Sequence, residues 1–546
     1  MPRRKRILLL TGGKYHPWVS CAGILKRTFE DTGRHGVTVS EDRDTLKKDA
    51  ISRFDAVVVY TQGGELTAAQ EKGMLDYVRA GGSFIGLHGA AASWTTNANY
   101  IDMLGGIFKE HGPVTEFPVA ITDHDSVITR RLPGFRVTDE LYILDKFDAD
   151  KVQVLATAMW KGKQRPIAYT KSYGKGKVFY LALGHDERAF EHPLFQKMVV
   201  RGLDWTQGRK ERPPLKAGVI GYGGAFNMGR LHLEGLRDAA DFTPAAVCEI
   251  DPVRRRAAEE EQPGIKTFKS TADMLKKSDV EIVVIITPHN THAKLAVQCA
   301  KAGRHVITEK PFCITVKEAD AMIDAAKKSN VMLSVFHNRR WDGDYVTIRN
   351  LIQRGFLGEV FHIEASMGGY QHPRYWWRSD KKMSGGAFYD WGAHICDWVL
   401  GIAQSGMTEI SGYFQQGRVW HDVTNEDHCV AAVRFANGTA ATIELSSAAA
   451  VPKKRWRILG TLGALEAPDE STIHLVTHKD GLRVEGEVKP AESDWKAYYR
   501  NIGDHLLLGE SLDVTPESAR RVIALIETAE KSSKAGKALA PPRHCR

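Results

Sequence analysis

The chain has 546 residues, more than one ordinary hydrophobic core accommodates, and its length implies about three to four structural units. With 43% hydrophobic and 26% charged residues it has the make-up of a soluble globular enzyme, and its net charge of +9 comes from 75 basic residues diluted by 66 acidic ones spread along the chain, so no nucleic-acid partner is expected. No apolar run reaches the length of about 18 residues that a membrane-spanning helix needs, and seven cysteines without a C-x-x-C pair imply a reducing cytoplasm with neither a disulfide framework nor a thiolate metal site.

In chain order, MPRRKR is followed by an apolar run of only Ile7 to Leu10, too short for a signal peptide and better suited to a first β-strand. Further short apolar runs at 55–61, 83–87 and 177–182 alternate with helix-like stretches such as 67–79. That rhythm predicts a parallel sheet with helices on both faces. Around 205–216 the text becomes WTQGRKERPPLK, polar and broken by two prolines, which marks a boundary. The expected organisation is a first domain at 1–207, a linker at 208–214, a nucleotide-type domain at 215–338 and a β-rich domain at 339–546. In the last of these, Asn437-Gly438 signals a hairpin, and TPESARRVIALIETAEKSS, with Thr515 and Ser518 at cap spacing, signals a packing helix.

The strand after the linker ends in Gly221-Tyr-Gly223-Gly224, a turn that lets backbone approach a pyrophosphate at a helix N-terminus, although the last glycine, Gly229, falls three residues late for G-x-G-x-x-G. Glu249 ends the next strand, where a carboxylate accepts ribose hydroxyls and repels a 2′-phosphate, so NAD is expected over NADP. Arg254 and Arg255 argue for NADP or form a solvated helix face. Thr287 and Pro288 close the third strand before His289, Asn290 and His292, which are either cofactor contacts or helix caps. The run RHVITEKP then delivers Glu309 and a lone Lys310 to the carboxyl end of a strand, where sheets of this type hold their ligands.

The ordered motifs GYGG, CEIDP, TPHNTH, GRHVITEKP and GGAFYDWGAHICD resemble the Gfo/Idh/MocA family of NAD(P)-dependent sugar and polyol dehydrogenases over roughly 215–540. The resemblance implies a Rossmann domain followed by an α+β domain on an open mixed sheet, with substrate between them. Carried over by position, it makes Lys310, Asp390 and His394 catalytic and sets Asp397, a candidate substrate contact, one turn further along. Spacing of i, i+4 and i+7 places the last three on one helix face. His394 is expected as the base, with Asp390 holding its tautomer and Lys310 orienting the hydroxyl; the reverse assignment of His394 and Lys310 stays open. The bland alternative is that Asp390, His394 and Asp397 buttress a helix. A metal is not expected there, because no third ligand is evident. His337 and Arg339 fall where the family often contacts substrate, and Tyr370, Trp376, Trp377 and Arg378 offer aromatic planes and donors for a sugar, or else fill an interface.

Residues 5–207 resemble the trehalose-utilisation (ThuA-like) family, related in fold to flavodoxin-like class I glutamine amidotransferases, through LLLTGGKYHPW, GGSFIGLHGAAASW, DELY and VFYLALGHD. His88 stands where an amidotransferase carries its cysteine, so thioester chemistry is not available. The resemblance suggests that His16, His88, Glu140 and His185 converge at strand ends as an acid/base or sugar site; a crevice kept only as scaffold is the alternative.

Together these readings predict an NAD-dependent oxidoreductase that converts a ring secondary hydroxyl of a sugar or glycoside, at C3, to a ketone, joined to a domain that binds or processes the product. The alternatives are net glycoside cleavage through transient oxidation and elimination, and a non-catalytic sugar or cofactor sensor. A carbohydrate substrate, a cytoplasmic location and a homo-oligomer formed through the C-terminal sheet complete the expectation.

Overall fold

The computed structural model describes residues 3–208, 212–224, 226–479 and 481–546; part of the expected linker, 209–211, lies outside them. The chain divides into two compact units, Met1–Glu211 and Arg212–Arg546, each with its own hydrophobic core.

In the first unit a nine-stranded sheet runs in the order His35–Ser40, Lys5–Gly12, Ala56–Thr61, Ser83–Leu87, Gly176–Leu181, Lys163–Tyr173, Gln153–Trp160, Thr115–Ile121, Phe135–Asp139. The first five are parallel, as the apolar rhythm predicts. All six residues of Ala56–Thr61 are buried, which requires cover on both faces and suits its run of three valines. Helices Trp18–Glu30 and Pro193–Thr206 pack together, as do Ala68–Arg79 and Ala98–Leu104. The other half of the sheet departs from the prediction, because its four strands pair antiparallel. The connections explain this. Lys161 and Gly162, both at positive φ, link two strands directly, and a parallel crossover needs about a dozen residues.

The second unit begins with six parallel strands in the order Lys266–Phe268, Phe242–Cys248, Leu215–Ile220, Ile282–Ile285, His305–Thr308, Leu333–Val335. Numbered along the chain this is 3-2-1-4-5-6, the order of dinucleotide-binding domains, and it sets the reversal point between Leu215–Ile220 and Ile282–Ile285. An eight-stranded mixed sheet follows, ordered Met407–Gln416, Glu426–Phe435, Ala440–Ser446, Val360–Gly368, Trp456–Gly460, Gly463–Ala467, Ile473–Lys479, Leu482–Val488. Asn437-Gly438 joins two of its antiparallel strands as predicted, with Gly438 at φ +88°. Helices Trp391–Ala403 and Pro516–Ala535 pack against this sheet and each other. The second starts where the sequence indicates: the Thr515 hydroxyl accepts the Ser518 amide at 3.1 Å, and Pro516 occupies the first turn.

All seven cysteines are free and buried, and no helix among the described residues is long and apolar enough to cross a membrane. Strand Met407–Gln416 approaches helix Pro516–Ala535 so closely that a Cβ on Gly412 would stand 1.8 Å from the Ala529 carbonyl oxygen. Gly412→Ala should therefore destabilise the second unit by about 1–3 kcal/mol. Urea unfolding followed by tryptophan fluorescence checks it; an unchanged midpoint contradicts that packing.

Candidate active site and a histidine cluster

The glycine turn at the reversal point divides its roles. Gly221, at φ +100°, is required by packing, because a Cβ there would meet the Ile286 carbonyl oxygen at 2.4 Å. Gly223 faces open space, so the room for a phosphate lies at this position. A Cβ on Gly224 would lie 3.3 Å from the Arg254 guanidinium; residue 225 is outside the described residues. Helix Met228–Asp238 follows with Asn227 in the left-handed region and no side-chain cap, which leaves its first amides for an anion. The turn thus fits a dinucleotide. Glu249 stands at the end of its strand, but its carboxylate already accepts the Tyr222 amide at 2.6 Å and the Asp251 amide at 3.0 Å. It braces the turn. Arg254 donates from Nε to the Tyr222 carbonyl at 2.9 Å and so lies along the same turn, while Arg255 binds the Glu249 carbonyl.

Thr287 Oγ1 lies 2.6 Å from Thr291 Oγ1, and Pro288 precedes a short helical turn at His289–Thr291. His292 is buried, its ring nitrogens 2.9 and 2.8 Å from the Pro311 and Thr287 carbonyl oxygens, and thereby ties two strand ends together. His289 reaches the Ser384 carbonyl at 2.8 Å. Glu309 also lies behind the site: its carboxylate accepts the Lys310 amide at 2.9 Å and contacts His232 Nε2 at 2.9 Å, while His232 Nδ1 meets the Tyr499 hydroxyl. Burial pushes the Glu309 carboxyl up, but the His232 bond and the Lys310 charge outweigh it and hold it below its ordinary value.

Lys310 Nζ stands 2.6 Å from Asp390 Oδ1, and Arg378 Nη1 reaches the same oxygen at 2.7 Å. Burial would raise the Asp390 carboxyl; the charges of Lys310 and Arg378 dominate and keep it well below the usual carboxylate range. Here the structure differs from the expectation that Asp390 orients His394. Asp390 is the residue before helix Trp391–Ala403, at φ −81° and ψ −92°, and this turn out of helical geometry aims its carboxylate at the two cations. His394 sits in the helix itself, buried, its Nδ1 without a hydrogen-bond partner among the described residues, with its ring centroid 6.0 Å from that of His337. Burial, then the charge of Lys310, depresses its pKa far below 6.5, so the ring is neutral at pH 7.

Asp397 also departs from expectation. Both its oxygens are committed to Arg340, at 2.6 and 2.7 Å, because a carboxylate in a closely packed helix needs a charge partner. His337 is buried, with both ring nitrogens unpartnered among the described residues and its pKa lowered to about 4 by burial. Arg339 lies over the Trp391 ring at 4.5 Å and pairs with Asp342 at 2.9 Å. A cavity of 530 Å³ opens beside Asp390 and Trp391, walled by Phe226, Trp376, Arg378 and Asp427. Trp377 turns instead towards His289, at 4.8 Å between ring centroids, and Tyr370 is exposed beside Trp420. Sequence reasoning missed Phe226, Asp427, His232 and Arg340. An aromatic residue inside a glycine-rich turn, and a charged residue following strand-end His337, were the available signals.

In the first unit the four predicted residues meet. His16 follows strand Lys5–Gly12, His88 follows Ser83–Leu87, His185 follows Gly176–Leu181, and Glu140 follows Phe135–Asp139. One side-chain nitrogen or oxygen from each lies within 4.8 Å of the others. His185 Nδ1 is 3.0 Å, and His88 Nε2 3.8 Å, from Glu140 Oε2. His88 is fully buried at φ +39°, its ring tilted by 32° against that of Tyr142 with 3.8 Å between ring centroids. Burial lowers the His16 pKa to about 4, assisted by the neighbouring His185, and depresses His88 further.

Comparisons with known proteins match each unit to a family. Residues 6–206 match the family described as ThuA, trehalose utilisation; 215–337 match the oxidoreductase family with NAD-binding Rossmann fold, GFO/IDH/MocA; and 345–466 match a GFO/IDH/MocA C-terminal domain. The scyllo-inositol 2-dehydrogenase (NADP(+)) IolW of Bacillus subtilis is 26% identical over 60% of this chain and 96% of its own length. Myo-inositol 2-dehydrogenase of Thermotoga maritima is 27% identical over 49% of this chain and 80% of its own length. Among solved structures, an NAD-binding protein from Listeria innocua superposes with TM-score 0.55 at 27% identity, covering 61% of this chain and 98% of that one. The chain is therefore a ThuA-family domain followed by a dehydrogenase-type oxidoreductase of the Gfo/Idh/MocA family, with that family's NAD-binding Rossmann fold and C-terminal domain.

Proposed function

We propose that the second unit oxidises a ring secondary hydroxyl of a sugar, cyclic polyol or glycoside, at C3 of a pyranose, with NAD as acceptor. The observation that carries this reading is the Lys310–Asp390 ion pair, whose carboxylate lines the 530 Å³ cavity walled by Trp376 and Arg378. An aromatic face beside charged donors suits a polyhydroxylated ring, and the two inositol dehydrogenases among its relatives act on rings of this kind.

Gly221, Gly223, Gly224, Glu249, Thr287 and Pro288 would hold the cofactor, which supplies the hydride acceptor when bound. The chain's own groups handle the proton. His394, neutral because it is buried, takes the hydroxyl proton. Lys310, fixed by Asp390, donates to the hydroxyl oxygen and keeps the alcohol oriented. Glu249 at its strand end supports NAD over NADP, and Arg254 beside the turn is the residue whose removal should weaken whatever NADP binding exists. The first unit then binds or processes the keto product, and the open C-terminal sheet, with Phe361 and Tyr413 exposed, joins a second copy of the chain. These assignments accompany a cytoplasmic location.

A panel of inositols, aldoses and glycosides, read as NADH formation with product NMR, tests the reading. Steady NADH accumulation with a ketone product supports it; sugar release without added NAD overturns it in favour of cleavage by transient oxidation. Binding of NAD with no turnover across the panel would indicate a sensor. Lys310→Ala and His394→Ala should each lower turnover by roughly 100-fold or more while NAD affinity, measured by fluorescence, is largely retained. Near-normal turnover in both would remove these residues from the chemistry. Because the folded His394 pKa is depressed, its base form persists below the ordinary value of 6.5, so the acid limb of kcat/KM should fall below pH 6.5. A limb at or above pH 6.5 assigns the proton to another group.

A further inference from the structure

We propose that His16, His88, Glu140 and His185 of the first unit form a binding site for one divalent transition-metal ion of the zinc class. This departs from the metal-free expectation drawn from the sequence, which weighed thiolates and the Asp390/His394 helix but not these four residues as a ligand set. It does not depend on the reaction assigned to the second unit.

The geometry carries it. Four candidate ligand atoms from four separate segments fall within 4.8 Å of one another. Tetrahedral ligands at bond lengths of about 2.0–2.2 Å stand about 3.4 Å apart, so closure asks only for small side-chain shifts. The Glu140 Oε2 to His185 Nδ1 and His88 Nε2 separations of 3.0 and 3.8 Å already bracket that value. Three imidazoles and one carboxylate suit zinc, iron or nickel, whereas calcium and magnesium prefer all-oxygen sets.

His88 gives the second, independent observation. It is wholly buried, and its Nε2 faces the cluster without a hydrogen-bond partner among the described residues. Its Nδ1 lies 2.7 Å from the Ala182 carbonyl oxygen, an acceptor, so Nδ1 carries the proton and Nε2 presents its lone pair. A backbone carbonyl that fixes the tautomer in this way is the usual support of a metal-bound histidine. The surrounding groups hold the other ligands in the same manner. The buried Asp139 carboxylate accepts the amides of Glu140, Gly184 and His185 at 2.8, 2.7 and 2.9 Å, tying two ligand-bearing segments to one anchor. The Tyr180 hydroxyl donates to the His88 carbonyl at 3.0 Å and secures the strained elbow. His16 and His185 are only partly buried, which gives an ion an entry path and leaves a side of the site open to an oxygen ligand from water or a sugar.

The test uses the full chain, stripped with a chelator and titrated with Zn²⁺ against a chromophoric competitor, with Co²⁺ as a spectroscopic probe. One tight equivalent per chain is expected, with a Co²⁺ d–d spectrum of low-symmetry nitrogen and oxygen ligation. Glu140→Gln and His16→Gln should each abolish the tight equivalent, and Asp139→Asn should weaken it by about 10- to 100-fold through its hold on the ligands. Circular dichroism establishes that each variant is folded, and His16→Gln, at the part-exposed rim, serves where a buried variant is not. No tight equivalent in the wild-type chain, or an undiminished one in folded Glu140→Gln and His16→Gln, overturns the site.

Discussion

The second unit is organised around one ion pair, Lys310 with Asp390. A lysine at the end of a parallel strand is brought into a partly desolvated crevice, where a lone charge is costly, and it is matched by a carboxylate from the start of a helix some eighty positions later in the chain. Matching them requires the Rossmann sheet and the following domain to meet at this point. The rest of the site follows from that meeting: Arg378 shares the same oxygen, His289 holds the Ser384 carbonyl, and the cavity opens beside Asp390. Behind the pair, Tyr499, His232 and Glu309 form a buried hydrogen-bonded chain that fixes the backbone from which Lys310 projects.

Both units use the same architectural rule with different side chains. Parallel strands place their carboxyl ends at one edge of the sheet, and the loops that leave them carry the polar groups. In the second unit those loops present glycines, Lys310 and His337. In the first they present His16, His88 and His185, with Glu140 added from the antiparallel half of the sheet. The unpredicted antiparallel extension therefore matters for function, since without strand Phe135–Asp139 neither Glu140 nor its anchor Asp139 would be in place.

Asp390 and Asp397 show how burial reassigns groups that look equivalent on a helical wheel. Helical spacing puts them on one face with His394, yet Asp390 lies outside the helix and faces cations, and Asp397 is closed off by Arg340. Glu249 likewise commits its carboxylate to two backbone amides, that of Tyr222 in the glycine turn and that of Asp251 just beyond its own strand. Each was visible as a carboxylate near the site; its partners include residues distant in sequence, Lys310 for Asp390, Arg340 for Asp397 and Tyr222 for Glu249.

The sequence by itself determined the two-part organisation, the parallel strand-helix alternation, the Asn437-Gly438 hairpin and the Thr515 helix start. These features arise from local periodicity, turn chemistry and capping, all written within a few neighbouring residues. It also brought forward His16, His88, Glu140 and His185, through a family likeness rather than through spacing. Only the tertiary structure decided which charges pair, which histidines lose their hydrogen-bond partners, and that side chains of four segments come within 4.8 Å of one another. Those outcomes follow from desolvation and long-range packing, which link positions scores of residues apart and leave no local signature.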